Sequence, residues 1–330
     1  MMGLILRLVA GAALMLLVFV LALLFDGADR VVNARLQRRI GPPILQPFID
    51  QLKLLGKENI VPRRAVVWAF NGAPWVSAAS MLLFFLYIPM GSLPPVLGGH
   101  GDMILILYLL SLSGVAMAVG GFASGNPIAN VGAQREMILM MSYEFPLAVV
   151  MATMAWIAYK TGMPGHPFSL ETFVAMPVWS VVGKVGLLGI ACLFLAFLLV
   201  VPGETGKGPM DIPEAKTEIL DGLIIEYSGR NLALFKITFA LRALAVSALM
   251  VTLFLPWSLG RPLGLSGALL FILDFLWFWV KVFLTQIVVI TVMRTAFGRL
   301  KIWQASEFYL VKVAGLSIAG MILASLDMLL

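Results

Sequence analysis

Eight stretches of about twenty mostly apolar residues recur along this chain, and no other feature constrains its fold as strongly. A helix of about 20 residues crosses the hydrocarbon core of a bilayer, where only helices and closed barrels satisfy their backbone hydrogen bonds. We therefore predict an all-α, polytopic integral membrane protein, with residues 1–330 forming a single transmembrane domain. The predicted spans are about 4–25, 65–88, 103–123, 137–159, 178–201, 231–256, 267–292 and 305–326.

Composition supports this class. Hydrophobic residues make up 61% of the chain and charged residues 12%, whereas soluble domains contain roughly 45–50% and about 25%. A water-soluble fold would leave much of this apolar surface in contact with water, so the composition excludes an ordinary soluble enzyme.

The distribution of Lys and Arg between the loops predicts the orientation of the spans. Fifteen of these cations fall in the loops after spans 1, 3, 5 and 7, and three (Arg7, Lys160 and Arg261) fall on the other side. Because cytoplasmic loops carry the excess of Lys and Arg, we expect both termini outside. Five more cations lie within predicted spans: Lys184, Lys236, Arg242, Lys281 and Lys312.

The first predicted cytoplasmic loop, residues 26–64, is much longer than a helix hairpin requires. Residues 44–57 have the spacing of an amphipathic helix, which we expect to lie in the membrane surface rather than to cross it. Its apolar face holds Ile44, Phe48, Leu52 and Leu55, and its polar face holds Gln46, Asp50, Lys53 and Lys57.

The second predicted cytoplasmic loop, residues 202–230, contains six acidic residues against three basic ones. Asp211 and Glu214 have the spacing of a capping box, with Pro213 in the first turn. This pattern predicts a short helix that begins there and that carries Glu214, Glu218 and Asp221 on one face.

Ionisable side chains inside a span are costly and by default mark a pathway or a partner. Glu144 lies about eight residues into the fourth predicted span, beside Tyr143, and Asp274 and Lys281 share a face of the seventh. Buried carboxylates and lysines can exchange protons near neutral pH. The sequence therefore suggests a proton pathway through Glu136, Tyr143, Glu144, Glu204, Asp211, Glu214, Glu218, Glu226, Lys236, Arg242, Asp274 and Lys281.

Some of these groups have a structural alternative. Lys236 and Lys312 can extend to an interface instead, and Asp274 and Lys281 can form a structural pair bridged by water. Two His and one Cys are too few for a metal site or a haem. Residues 203–208 lack the spacing of a phosphate loop, and no catalytic triad can be assembled, so we expect neither catalysis, nor metal, nor nucleic acid at this chain.

Three groups of residues resemble one family of membrane subunits. They are Asp29-Arg30 with 34–47 and 53–58, then Ser142-Tyr143-Glu144 with Pro146, then Glu204-Thr205, 209–215, Glu218 and 226–229. The family is the quinone-site membrane subunit of respiratory complex I, with its relatives in membrane-bound, energy-converting nickel–iron hydrogenases.

Two departures from the complex I pattern favour the hydrogenase branch. The segment Gly41-Pro42-Pro43-Ile44-Leu45-Gln46-Pro47 is contracted and is similar to hydrogenase-type subunits, including those of formate hydrogenlyase and archaeal membrane-bound hydrogenases. Trp303 stands where complex I members commonly carry Asp.

The resemblance implies a non-catalytic coupling subunit of an oxidoreductase complex in a prokaryotic cell membrane. Its partners would be hydrogenase large and small (iron–sulfur) subunits on the cytoplasmic face, antiporter-like membrane subunits and the lipid bilayer. The nickel–iron centre and the iron–sulfur clusters would belong to those partners, and electron transfer would drive proton or sodium translocation. The expected docking residues are Arg35, Arg38, Arg39, Gly41, Pro42, Gln46, Lys53, Lys57, Arg294 and Arg299.

Three alternatives remain open at the level of sequence. The chain can instead be the quinone-site subunit of NADH dehydrogenase (complex I), or the equivalent subunit of a sulfur-reducing relative. An independent secondary transporter fits less well, because such proteins typically show internal repeats and broken helices, and we find neither in the sequence.

Overall fold

The computed structural model describes residues 2–99, 101–260, 262–264 and 267–329. Arg261, one of the three cations on the predicted outer side, lies outside these residues. The described chain is 73% helical and contains no strand. The helices are α1 (Met2–Leu36), α2 (Gln46–Leu55), α3 (Val67–Leu86), α4 (Met103–Ala123), α5 (Pro127–Lys160), α6 (Leu170–Ala175), α7 (Lys184–Thr205), α8 (Lys216–Ile219), α9 (Gly229–Phe254), α10 (Ala268–Ala296) and α11 (Ile302–Asp327).

Eight of these helices are long and apolar enough to cross a membrane, which confirms the predicted number of spans. They are α1, α3, α4, α5, α7, α9, α10 and α11. The protein is therefore a polytopic, all-α membrane protein, as the apolar stretches indicated.

Two spans are longer than the sequence predicted. Helix α1 continues to Leu36, well into the predicted first loop, because its polar end is satisfied by ion pairs such as Arg30–Asp26 at 2.9 Å. Helix α5 begins at Pro127, where the Asn126 side chain accepts a hydrogen bond from the Ile128 amide at 2.8 Å. Glu144 therefore lies near the middle of α5, and the predicted depth of about eight residues was wrong.

Helix α9 occupies the centre of the bundle. Every residue from Ala240 to Phe254 is buried, and the helix packs against α1, α3, α7 and α10. At the periphery, α7 and α11 approach closely at Gly189 and Gly320, where a Cβ would lie within 3.0 Å of the other helix's backbone. Such small residues allow membrane helices to pack without the hydrophobic drive available in water.

The long connections meet at one end of the bundle, which we call the loop face (residues 37–66, 124–126, 206–228 and 297–301). There the Ile60 amide donates to Ser228 Oγ at 2.9 Å, and the Leu300 amide donates to the Pro209 carbonyl at 3.2 Å. At the opposite end, the Gly183 amide donates to Asp327 at 2.7 Å.

Helix α2 forms where the amphipathic pattern predicted a helix. Its buried residues are Pro47, Gln51 and Leu54, whereas Leu52 is 71% exposed and Ile49 is 54% exposed. The apolar face is thus turned away from the bundle, as a helix lying in the membrane surface requires.

The predicted helix at Asp211–Glu214 was wrong. Residues 211–215 form turns, and the short α8 begins only at Lys216. Leu220 and Asp221 then take left-handed conformations (φ 51° and 71°), which end the helix.

As a result Glu214, Glu218 and Asp221 share no face. The reason lies in tertiary contacts, since Arg299 holds both oxygens of Asp211 and keeps the carboxylate from capping a helix.

Candidate functional site

A buried arginine organises the polar interior of the bundle. Arg242, in the middle of α9, is 1% exposed. Its guanidinium donates to Glu136 at 3.2 Å and to Tyr143 Oη at 2.9 Å, both on α5, and to Glu204 on α7 at 3.4 Å. A buried charge persists only when it is paired and hydrogen-bonded, and these three partners meet that condition.

Glycines make room for this group, which we call the Arg242 cluster (Arg242, Glu136, Tyr143, Glu204 and Glu144). A Cβ at Gly114 on α4 would lie 3.3 Å from Arg242 Nη2. A Cβ at Gly203 on α7 would lie 2.6 Å from Tyr309 Oη and 3.0 Å from the Tyr143 ring. Side chains from four helices can therefore converge within a close-packed bundle.

Glu144 reaches the cluster from the side of a cavity. It is partly buried, and its Oε1 atom is buried without a hydrogen-bond partner. Glu144 and Glu204 both line a cavity of about 200 Å³ between α4 and α5, together with Ser111 and Tyr108. A water molecule occupies about 30 Å³ in the liquid, so the cavity has room for waters that could carry a proton between the two carboxylates.

The acidic residues of the second loop have different environments. Asp211 accepts from Arg299 at 2.7 Å and 2.6 Å, Glu218 pairs with Arg135 at 2.6 Å, and Glu226 accepts from Asn126. These predicted pathway residues hold the loop against α5 and α11. They lie at the loop face rather than within the Arg242 cluster.

Glu214 is the loop acid that faces the interior. Its Oε1 atom is buried without a hydrogen-bond partner. Burial raises the pKa of Glu214 to about 8, and the negative charges of Glu136, Asp221 and Asp211 act in the same direction, against a smaller opposing effect of Arg242. A carboxyl group with this pKa can gain or lose a proton near neutral pH, at the boundary between the loop and the cluster.

Comparison with known proteins identifies the fold. A family model described as NADH dehydrogenase matches residues 9–325. The chain belongs to the NADH dehydrogenase family.

Relatives from several kinds of complex share this family's fold. Hydrogenase-4 component C of Escherichia coli (strain K12) is 34% identical over 74% of each chain. A membrane subunit of the NADH-quinone oxidoreductase of Anaplasma phagocytophilum (strain HZ) is 35% identical over 84% of each. A solved chain of the membrane-bound sulfane sulfur reductase, an archaeal respiratory membrane complex, is 28% identical, with a TM-score of 0.81, covering 96% of this chain and 99% of that one.

In this member of the NADH dehydrogenase family, Asp274 and Lys281 lie apart from the Arg242 cluster, at the opposite end of the bundle from the loop face. Asp274 accepts from the Leu259 and Gly260 amides at 3.1 Å and 2.9 Å, and Lys281 donates to the carbonyls of Leu255 and Trp257 at 2.5 Å and 3.0 Å. Both side chains thus hold the connection that follows α9. This arrangement supports the structural alternative for the pair, without the water bridge.

The other cations of the predicted spans also lie outside the cluster. Lys236 is exposed on α9, because a separation of six residues places it on a different face of the helix from Arg242. Lys184 and Lys312 are likewise exposed. Arg242 is the buried member of this set.

The predicted docking residues divide into two groups. Arg35, Arg38, Arg39, Lys53 and Lys57 are exposed at the loop face, and none has an ion-pair partner among the residues that the structure describes. They are available to an acidic surface.

The second docking group is engaged within the chain. Arg294 pairs with Asp29 at 3.5 Å, and Arg299 pairs with Asp211. Gln46 donates to Asp50 at 3.0 Å, and Gly41 packs on Val31, where a Cβ would lie 3.0 Å from Cα. Pro42 beside it is exposed.

Sequence reasoning missed a second polar cluster, centred on Asp29. This side chain is 1% exposed and accepts from Thr291 at 2.5 Å and from Lys207 at 3.1 Å. Lys207 also pairs with Asp26 at 3.2 Å. We call Asp26, Asp29, Lys207, Thr291 and Arg294 the Asp29 cluster. The spacing of Asp26, Asp29 and Arg30 on one helical face was the available signal, but the predicted end of α1 placed them in a loop.

Proposed function

We propose that this chain is the membrane anchor and coupling subunit of a respiratory-type membrane-bound hydrogenase complex. In this proposal the loop face points to the cytoplasm and docks a peripheral redox arm. Electron transfer in that arm drives proton or sodium movement through the membrane, and the Arg242 cluster is the part of this chain that responds.

The observation that carries the proposal is the position of Glu204. It lies in the last turn of α7, where the second loop begins, and it is 1% exposed in the Arg242 cluster. A displacement or charge change in the loop therefore acts on a buried carboxylate without any intermediate element. Loop and cluster are covalently continuous at this residue.

The cluster has the composition of a proton relay. Glu136, Glu204 and Glu144 surround a single cation, Arg242, whose guanidinium stays protonated in proteins. Three carboxylates beside one fixed positive charge favour retention of protons, because like charges in a low-dielectric site oppose ionisation. A change in charge at Glu214 or at the docked arm would move a proton among these carboxyl groups.

The flank beside Glu144 suits a neighbouring membrane subunit. Tyr108 and Met141 are 69% and 68% exposed there, and Ile104 and Ala148 line the cavity from the same side. A carboxylate beside hydrocarbon is costly. We propose that an antiporter-like subunit covers this flank and receives protons or their electrostatic effect from Glu144.

The redox centres are assigned to partner subunits. A nickel–iron centre and iron–sulfur clusters need several cysteine ligands, and this chain has one Cys. The exposed arginines and lysines of the loop face would bind the acidic surface of the large and small hydrogenase subunits.

The choice of branch rests on the contracted Gly41–Pro47 segment. Gly27 on α1 gives this segment its path, because a Cβ there would overlap the Ile44 carbonyl. The 34% and 35% identities to the hydrogenase-4 and NADH-quinone relatives do not separate the branches. The likeness to the sulfane sulfur reductase chain supports a sulfur-reducing complex as the second candidate. Nickel in the purified complex supports the hydrogenase; sulfur reduction or quinone reduction without nickel contradicts it.

Glu144→Gln in the intact complex tests the coupling role. We expect redox turnover to persist while ion translocation per electron is lost, measured with a pH or sodium probe in proteoliposomes. Glu171→Gln, an exposed carboxylate near the opposite end, is the matched control and should remain coupled. Full coupling in Glu144→Gln and in Glu204→Gln would refute the proposed function.

A further inference from the structure

The Arg242 cluster and the Asp29 cluster are joined by a short stretch of chain, Glu204–Lys207. Glu204 enters the first cluster through Arg242 at 3.4 Å. Lys207 enters the second through Asp29 at 3.1 Å and Asp26 at 3.2 Å. Movement of Lys207 away from α1 would therefore pull on the backbone that carries Glu204.

This segment is not rigid by its own secondary structure. Pro202 lies inside the last turns of α7, where it lacks an amide proton for the helical hydrogen bond. Gly206 ends the helix in a left-handed conformation (φ 60°), which glycine adopts freely. The position of Glu204 therefore depends on what holds the chain on either side of it.

The neighbouring helices also depart from α geometry at this level. Helix α10 contains a π-helical segment, Gln286–Thr291, whose last residue donates to Asp29 at 2.5 Å. Helix α11 contains another, Phe308–Val313, whose Tyr309 packs against Gly203. Both segments contact α7. Such π-helical turns occur frequently at functional sites, and here two of them flank the same stretch of chain.

We propose that Lys207 and Asp29 are positioning residues, whose ion pair holds the end of α7 so that Glu204 stays on Arg242. For the importance of Glu204 this inference rests on the proposed function. Its new content is the assignment of the Lys207–Asp29 pair, on α1 and the second loop, as the element that sets the position of Glu204.

The charges of the Asp29 cluster suit a contact that holds and can be released. Although burial opposes it, the carboxylates of Asp29 and Asp26 raise the pKa of Lys207, so the amine stays charged at neutral pH. When Lys207 moves away, Asp29 keeps Thr291 and Arg294, and Asp26 keeps Arg30 at 2.9 Å. Release therefore leaves neither carboxylate without a partner, and the larger cost of an orphaned buried charge is avoided.

The pair also connects the cluster to the membrane surface. Arg30, which shares Asp26 with Lys207, donates to Asp50 of α2 at 2.9 Å. A continuous series of ion pairs thus runs from α2 through α1 to the start of the second loop. Displacement of α2 by a docked arm would reach Lys207 through this series.

The test measures ions moved per electron in the intact complex for Lys207→Met, alone and combined with Glu204→Gln. If Lys207 acts through Glu204, Lys207→Met lowers coupling in the wild-type background and has no further effect in the Glu204→Gln background, since residues acting as one unit are not additive. Lys207→Arg should restore coupling. Lys216→Met, the same change at an exposed pair of the same loop (3.5 Å to Asp221), should remain coupled.

Each outcome decides the inference. Additive losses in the double variant, or full coupling in Lys207→Met, would overturn the positioning role while leaving Glu204 intact as a relay. Full coupling in Glu204→Gln alone would instead refute the proposed function. If Lys207→Met fails to assemble, Asp29→Asn with Lys207→Met removes both charges, and the same comparison with Glu204→Gln applies.

Discussion

At the scale of single residues, burial decides which ionisable groups can respond to one another. Arg242 and Lys236 belong to the same helix, yet one is enclosed by three hydrogen-bond partners and the other is exposed. Asp274 is as buried as Arg242, but its hydrogen bonds go to backbone amides that it holds in place. Charge within an apolar stretch is thus a useful signal whose meaning depends on the neighbours.

Glu214 gives a pH-dependent prediction at this scale. Its pKa is about 8 in the folded protein against 4.5 as the ordinary value, because of burial and nearby carboxylates. The folded state therefore favours the protonated form, and the packing of the loop weakens as pH rises from the ordinary pKa through the folded one.

We expect amide hydrogen exchange of residues 206–228, corrected for intrinsic rates, to accelerate from about pH 6 to about pH 9. Glu214→Gln should remove most of that acceleration, whereas Glu218→Gln, at a half-exposed ion pair, should retain it. Equal pH dependence in wild type and Glu214→Gln would contradict the assignment.

At the scale of elements, close approach between backbones determines how the second loop lies on α5. A Cβ at Gly132 would overlap the Leu223 amide nitrogen and lie 3.0 Å from the Pro213 carbonyl oxygen. The loop can therefore rest directly on α5 only at a glycine. The same contact brings Glu214 towards the Arg242 cluster.

Gly132→Ala should displace the loop and destabilise the protein by about 1–3 kcal/mol, the usual range for an overpacked site. Gly315→Ala is the matched control, because a Cβ there meets nothing within 4 Å and alanine favours a helix by about 0.5–1 kcal/mol. Thermal unfolding of the purified complex, with hydrogen exchange of residues 213–224, measures both. A Gly132→Ala variant as stable as wild type would show that the loop does not rest on this residue.

At the scale of the whole molecule, the loops that belong together lie at one end of the bundle, and charge distribution assigns that end to the cytoplasm. This orientation gives a direct prediction. In a Cys192→Ser background, Arg39→Cys should react with an impermeant thiol reagent from the cytoplasmic side, and His166→Cys from the outside. Both positions are exposed, so failure to label would not reflect burial. Reversed labelling would contradict the orientation and move the docking face outside.

The eight spans could be predicted from sequence because a membrane helix forms its backbone hydrogen bonds within one segment, so local hydropathy is sufficient information. The exposed cations of the first loop and the amphipathic character of α2 are local in the same sense. The family motifs placed Glu144, Glu204 and Glu214 among the candidates, although no local pattern could say which of the loop acids point inward.

The contacts that make the site were decided by tertiary structure alone. Arg242 meets Glu136, Tyr143 and Glu204 across 106, 99 and 38 residues of sequence, and Asp29 meets Lys207 across 178. The helix predicted at Asp211 failed for the same reason, since its cap was taken by Arg299, 88 residues away. Hydropathy determines where each segment crosses the membrane, but only the packing of helices determines which buried charges face one another.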